Sequence, residues 1–130
     1  MITLDTNVLA RYLLKDDAAQ FEKARAIIEG PETFAIPVTV CLELVWVLEV
    51  SDCSRADIAR AIRLLIGLPN VMVSPIEILL NALRWYEGGM DFADAMHLAM
   101  SIESEALVTF DKDFAKLAER LEPFPDVRLA

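Results

Sequence analysis

The stretch ITLDTNVLARYL, residues 2–13, changes its apolar period from that of a strand to that of a helix within a few residues. The run from Ile2 to Leu4 is short and strand-like. The apolar positions that follow share one helical face: Val8, Leu9, Tyr12 and Leu13. Asp5 stands where the strand ends and the helix begins. The stretch therefore predicts the first strand–helix unit of an α/β fold, with a carboxylate at the carboxyl end of the strand.

The same alternation continues through the rest of the chain. Further strands are predicted at residues 33–36, 71–73 and 106–110, with an edge strand at 127–129. Helical apolar spacing separates these strands. Start signals stand at Asp16-Asp17, Pro37, Ser54, Asp91 and Asp111, and a further helical face begins at Ile76. Short apolar strands between helices predict one α/β domain over residues 1–130, with a central parallel β-sheet flanked by helices.

Composition excludes several classes of protein. A chain of 130 residues that is 55% hydrophobic can bury a core without disulfides, which excludes intrinsic disorder. Its 12 Lys+Arg against 21 Asp+Glu give a net charge of −9. This balance excludes nucleic-acid binding by a broadly basic surface. Cys41 and Cys53 lack CxxC spacing, which favours two reduced thiols. With no secretory leader and no apolar run of membrane-spanning length, we expect a cytoplasmic protein without a membrane segment.

Acidic residues gather where the predicted helices begin. Asp5, Asp91 and Asp111 precede helices, and Asp94 lies in a first helical turn. Ligands of parallel sheets bind at the carboxyl ends of the strands, so these carboxylates are placed to converge. Glu43 is the one charge between residues 33 and 48, and its carboxylate would be costly to bury without a partner or a cation.

Each carboxylate also has a purely structural explanation. Asp is a common N-cap, an acid in the first turn complements the helix dipole, and Glu43 can be the exposed residue of an amphipathic helix. Taken together, however, clustered carboxylates repel one another unless a divalent cation lies among them. Oxygen ligands suit Mg²⁺ or Mn²⁺, and a chain with one His and no Cys/His cluster does not indicate zinc. An oxygen-only site without a P-loop favours metal-assisted phosphoryl chemistry.

Four ordered motifs resemble the PIN domain family, most closely its VapC-type toxins of toxin–antitoxin pairs. They are LDTNVL at residues 4–9, Glu43 in an apolar helix, DFADA at 91–95 and TFDKDF at 109–114. The resemblance spans nearly the whole chain. It implies a Mg²⁺- or Mn²⁺-dependent endoribonuclease that hydrolyses RNA with a metal-activated water and leaves a 5′-phosphate and a 3′-hydroxyl. It also implies a VapB-like antitoxin as a protein partner and a homodimer.

The resemblance assigns roles to eight residues. Four acids match the catalytic and metal-binding positions: Asp5, Glu43, Asp94 and the more variable Asp111. Asn7 and Thr109 match polar residues that support these acids by hydrogen bonds. Asp91 and Asp113 stand where many members carry a further acid, as additional or alternative ligands.

Two lines of cations begin beside a proposed ligand. Such lines are usually solvated helix faces. Their position makes four side chains candidates for contacts with the RNA backbone: Arg11, Lys15, Lys112 and Lys116. His97 is expected to pack and hydrogen-bond on its helix, and the aromatic residues are expected in the core or an interface: Trp46, Trp85 and Tyr86.

Three alternatives remain at this point. A PIN nuclease can process RNA outside a toxin–antitoxin pair. A non-catalytic interaction module would use its acids only as helix caps. An aspartyl-phosphate phosphatase or receiver-type domain fits poorly, because the first strand ends in Asp-Thr-Asn without the second acid that this chemistry needs.

Overall fold

A computed structural model describes all residues, 1–130, as two compact units, Met1–Ser74 and Pro75–Ala130. The first unit contains, in order, β1 (Ile2–Thr3), α1 (Thr6–Leu14), α2 (Ala18–Ile28), β2 (Phe34–Ala35), α3 (Val38–Val50), α4 (Arg55–Ile66) and β3 (Val71–Met72). The second contains α5 (Ile76–Glu87), α6 (Phe92–Met100), β4 (Ala106–Thr109), α7 (Lys112–Leu121) and β5 (Asp126–Leu129). The predicted α/β class, with parallel strands alternating with helices, is confirmed.

The sheet of the first unit is parallel, in the order β1-β2-β3. Its ladder continues just past the short strands: the Leu4 N–H donates to the Ala35 carbonyl at 3.1 Å, and the Ile36 N–H donates to the Met72 carbonyl at 2.9 Å. Parallel neighbours need a long crossover, which here is a helix pair each time. Because the strands are parallel, their carboxyl ends share one edge, and Asp5 follows the first of them.

The core of the first unit is built from helix faces and the central strand. Helix α3 is apolar along most of its length, so its inner face packs against α1 and α4. The side chains buried almost completely include Leu9, Phe34, Leu44, Ile58 and Ile62. Removing each of these from water contributes about 1.5–3 kcal/mol before entropy is counted.

Side-chain hydrogen bonds fix several ends of elements in this unit. Asp17 caps α2 by accepting from the Gln20 N–H at 3.0 Å, and Ser54 caps α4 by accepting from the Asp57 N–H at 3.1 Å. Both caps were predicted from the sequence and are confirmed. The Asn70 amide donates to the Ile28 carbonyl at 2.8 Å, which ties the end of α2 to the loop before β3.

The second unit pairs β4 with β5 in parallel, from Ala106 opposite Asp126 to Thr109 opposite Leu129, with α7 as the crossover. Helices α5 and α6 pack closely, and the Tyr86 and Phe92 rings meet edge to face with centroids 5.4 Å apart. The turn between these helices contains Gly89 at φ +111°, a conformation that other residues avoid.

Some of the predictions for individual side chains agree with the structure and others do not. Trp85 and Tyr86 are buried, as expected, so the burial of Tyr86 removes it as a candidate for a dimer interface. Trp46 is 62% exposed, and His97 is exposed rather than packed. Both cysteines are free thiols, as predicted. No helix has the length and apolar character required to cross a membrane.

Candidate functional site

Asp5 occupies the N-cap position of α1 without capping it. Its backbone is extended, at φ −82° and ψ 158°, but its side chain accepts no hydrogen bond from the helix N–H groups. The carboxylate is exposed. Helix capping, the structural explanation for an acid at this position, therefore does not account for Asp5.

The residues on either side of this acid differ in burial. Thr6 is buried, and its hydroxyl is the one buried side-chain polar atom without a hydrogen-bond partner. Asn7 is exposed. The start of α1 thus presents a carboxylate and an amide to solvent.

Glu43 lies on the outer face of α3 and is exposed. Trp46, three residues further on, shares this face, because residues at i and i+3 are neighbours on a helix. The desolvation cost expected for a buried Glu43 does not arise. An exposed carboxylate in an otherwise apolar helix needs no partner for stability, so its position leaves it available to a ligand.

In the second unit, two acids act as helix caps. Asp91 caps α6 by accepting from the Asp94 N–H at 3.1 Å, and Asp111 caps α7 by accepting from the Phe114 N–H at 3.0 Å. The Thr109 hydroxyl accepts from the Asp111 N–H at 3.0 Å. Thr109 therefore supports Asp111, as the resemblance implies, through its backbone rather than its carboxylate.

Asp94 is a proposed ligand with a perturbed electrostatic environment. Its carboxyl is partly buried, and this burial is the main cause that raises its pKa. The negative charges of Asp91 and Asp111 raise the pKa further, and His97 opposes them. Three carboxylates of this unit therefore lie close enough to interact. A cation placed among them would relieve this repulsion.

The available donors fit a hard cation in their chemistry. All six proposed ligands are carboxylates, which suit Mg²⁺ or Mn²⁺ rather than zinc. Asp5 and Glu43 belong to the first unit, whereas the other four belong to the second: Asp91, Asp94, Asp111 and Asp113. Neither unit contains three His, Cys, Asp or Glu side chains close enough together to hold a metal ion. Within the second unit, Asp91, Asp94 and Asp111 thus form an electrostatic cluster and not a complete coordination shell.

The proposed RNA-contacting cations have different surroundings. Arg11 forms an ion pair with Asp16, and the Lys15 ammonium lies over the Phe21 ring, 5.4 Å from its centroid. Lys112 and Lys116 are exposed on α7. Lys116 lines a shallow cavity of about 460 Å³ together with Asp113, Leu117, Glu119 and Arg120. Arg11 and Lys15 therefore contact other side chains of the protein, whereas the two cations of α7 face solvent.

A groove between α1 and α2 was not predicted from the sequence pattern. Its volume is about 230 Å³, and its lining is Asn7, Val8, Arg11, Gln20, Lys23, Ala24 and Ile27. The residues from α2 fall at helical spacing on one face, which is the signal that would have found them. No carboxylate lines this groove, although the chain carries a net charge of −9.

With the fold and the acids described, comparisons with known proteins place the chain in a class. A model of the PIN domain matches residues 2–120, and the chain belongs to the PIN domain family, whose members are generally nucleases. Among solved structures, the chain is similar to a crystal structure of VapBC2 from Rickettsia felis bound to a DNA fragment from their promoter. The identity is 18%, the match covers 100% of this chain and 98% of that chain, and the TM-score is 0.38. A comparison with curated proteins finds no match.

Proposed function

We propose that this PIN domain is a Mg²⁺- or Mn²⁺-dependent endoribonuclease of the VapC toxin type. The observation that carries the proposal is the acidic cluster around Asp94, in which Asp91 and Asp111 help to raise the pKa of a partly buried carboxyl. Such a cluster is unfavourable in a protein that only needs helix caps, because Ser or Asn would cap equally well without repulsion. Membership of a family of nucleases supports the same conclusion.

Four carboxylates would hold the cation in this proposal: Asp5, Glu43, Asp94 and Asp111. Asp91 and Asp113 are additional or alternative ligands. When bound, a divalent cation polarises the scissile phosphate and lowers the pKa of a water molecule. The chemistry then needs no nucleophile from the protein, which agrees with the buried state of Cys41.

Other residues of the chain would position these acids and the substrate. Asp91 fixes the first turn of α6 through the Asp94 N–H, and Thr109 fixes the backbone of Asp111. Asn7, which is exposed beside Asp5, would bind substrate or a water molecule in this proposal. Lys112 and Lys116 face solvent on α7, where they would contact RNA phosphates.

The proposed reaction is hydrolysis of one phosphodiester bond. The oxygen of water forms a bond to phosphorus while the bond from phosphorus to the 3′-oxygen breaks. The 3′-oxygen takes up a proton, so that the products are a 5′-phosphate and a 3′-hydroxyl. The strongly acidic surface restricts RNA binding to local contacts, since broad phosphate neutralisation needs a basic surface.

The proposal extends to partners and location. A VapB-like antitoxin with a basic segment would complement the net charge of −9 and cover the acids. A homodimer is proposed from the resemblance alone, and the free thiols agree with a reducing cytoplasm. An RNA-processing PIN nuclease without an antitoxin would use the same site.

One observation favours a second candidate, a non-catalytic interaction module. Asp91 and Asp111 do cap helices, as that alternative requires. It leaves Asp5 unexplained, because that carboxylate accepts no capping bond.

The test is Mn²⁺ titration calorimetry combined with cleavage of a single-stranded RNA in the presence of Mg²⁺ or Mn²⁺. We expect Asp5→Asn and Asp94→Asn to lose metal binding and to lower cleavage at least a hundredfold. Asp57→Asn is the matched control, since Asp57 is an exposed acid on α4 that pairs with Arg60. Equal cleavage by Asp5→Asn and wild-type protein would overturn the proposal. Absence of Mn²⁺ binding in the wild type would favour the interaction module.

A further inference from the structure

The groove between α1 and α2 combines features that point to an anionic, hydrogen-bonding ligand. Val8, Ala24 and Ile27 supply apolar surface, and Ile27 is 45% exposed. The amides of Asn7 and Gln20 offer both donors and acceptors. Arg11 and Lys23 supply positive charge. The cavity on α7 contains as many acids as cations, whereas the groove between α1 and α2 is lined by cations without acids.

The position of the groove relates it to Asp5. Asn7, one of its lining residues, is two residues beyond Asp5 in the first turn of α1. Arg11 lies one helical turn further along, about 6 Å from Asn7 at the rise of an α-helix. The groove therefore begins beside the proposed catalytic acid and leads away from it along α1.

We infer that this groove binds the stretch of single-stranded RNA next to the scissile phosphate. In this arrangement, Arg11 and Lys23 contact backbone phosphates, and the two amides contact a base edge or a ribose hydroxyl above the apolar floor. The inference rests on the proposed ribonuclease function and assigns its substrate a path. It adds Gln20 and Lys23 to the residues that bind RNA. Lys15, which lies over the Phe21 ring, makes no contact with this part of the RNA.

The two cations of the groove differ in how they are held. Arg11 is paired with Asp16, so its guanidinium is fixed in position and its charge is partly compensated. Lys23 is exposed on α2. A contact between Lys23 and a phosphate is therefore expected to release more counterions from the RNA than a contact made by Arg11. Lys23 is the better residue for a test.

The first arm of the test measures RNA binding by the catalytically silent Asp5→Asn protein over a range of salt concentrations. Adding Lys23→Ala should weaken binding roughly fivefold to tenfold and should reduce the slope of log Kd against log salt by about 0.7. Lys23→Arg should restore both values. Arg25→Ala is the matched control, because Arg25 lies on α2 outside the groove and pairs with Glu22.

The second arm measures cleavage in the otherwise wild-type chain. Gln20→Ala should raise KM for RNA without lowering kcat, and it leaves the cap of α2 in place, because Asp17 binds the backbone N–H of Gln20 rather than its side chain. Unchanged Kd, salt slope and KM in both variants would overturn the inference even while the wild type cleaves RNA. If the groove substitutions weakened the binding of a poly-glutamate peptide but not of RNA, the groove would be assigned to an acidic protein partner. That result would also overturn the inference. Absence of RNA cleavage in the wild type defeats the proposed function separately.

Discussion

The carboxylate of Asp91 accepts a hydrogen bond from the backbone N–H of Asp94 at 3.1 Å, and its charge also raises the pKa of the Asp94 carboxyl. One acid thus holds the turn of helix that presents the other. Asp91 fixes the local geometry of the helix turn, and Asp94 keeps a carboxylate that does not cap the helix. The sequence motif alone does not show which acid has which role. This arrangement leads to predictions that distinguish capping from chemistry.

Asp91→Ala should destabilise the protein by about 1 kcal/mol, because the first turn of α6 loses its cap. Asp91→Asn should cost much less, since an asparagine oxygen accepts the same hydrogen bond. Urea denaturation followed by circular dichroism measures both. An equal loss in the two variants would mean that the charge of Asp91, and not its hydrogen bond, stabilises the helix.

Asp5→Asn should leave the free energy of unfolding within about 0.5 kcal/mol of the wild-type value, because this exposed side chain makes no capping bond. The same substitution is expected to abolish cleavage. Parallel denaturation and activity assays on one preparation check the two effects together. A destabilisation as large as that of Asp91→Ala would show that Asp5 is a structural residue after all.

Thr6→Val should stabilise the protein by about 1 kcal/mol, since a methyl group of the same shape replaces a buried hydroxyl that has no partner. Thr6→Ser keeps the hydroxyl and loses a methyl contact, so it should be less stable than the wild type. Thermal unfolding of the three proteins gives the order. If Thr6→Val were the least stable, the hydroxyl would have a partner in solution.

Cys41 should be unreactive in the folded protein. Burial raises the pKa of its thiol to about 12, so that almost no thiolate exists near pH 8. Cys53 is only partly buried. A colorimetric disulfide reagent should therefore titrate one thiol per chain in the native state and two in denaturant. Cys53→Ser should abolish the native reaction, and rapid modification of both thiols in the native wild type would contradict the placement of α3.

Most of the fold could be predicted because local signals agree with the tertiary structure. Pro37, Ser54 and Asp91 mark helix starts by their chemistry, and the structure begins helices directly after each of them. The edge strand predicted near the end of the chain is present and pairs with β4. The division into two units could not be predicted, since no linker composition separates Ser74 from Pro75.

The contacts around the site were less predictable, because they involve side chains from outside the helix whose periodicity was analysed. Arg11 pairs with Asp16 and Lys15 packs on Phe21 across the turn between α1 and α2, which the i, i+4 pattern does not contain. Trp46 was expected in the core or an interface, and its exposure on the outer face of α3 excludes only the core. Periodicity identifies a face without revealing what covers it.

Gly89, in the turn before Asp91, is required by the fold, whereas Asp94 is required by the proposed activity. Gly89 adopts φ +111°, so nearly any substitution strains the backbone that joins α5 to α6, whatever the chemistry of the protein. A descendant that had abandoned nuclease activity would keep Gly89 and be free to lose the acid at Asp94. Retention of the glycine without the acid would then identify an inactive descendant, which gives sequence surveys of this lineage a means of telling a surviving fold from a surviving enzyme.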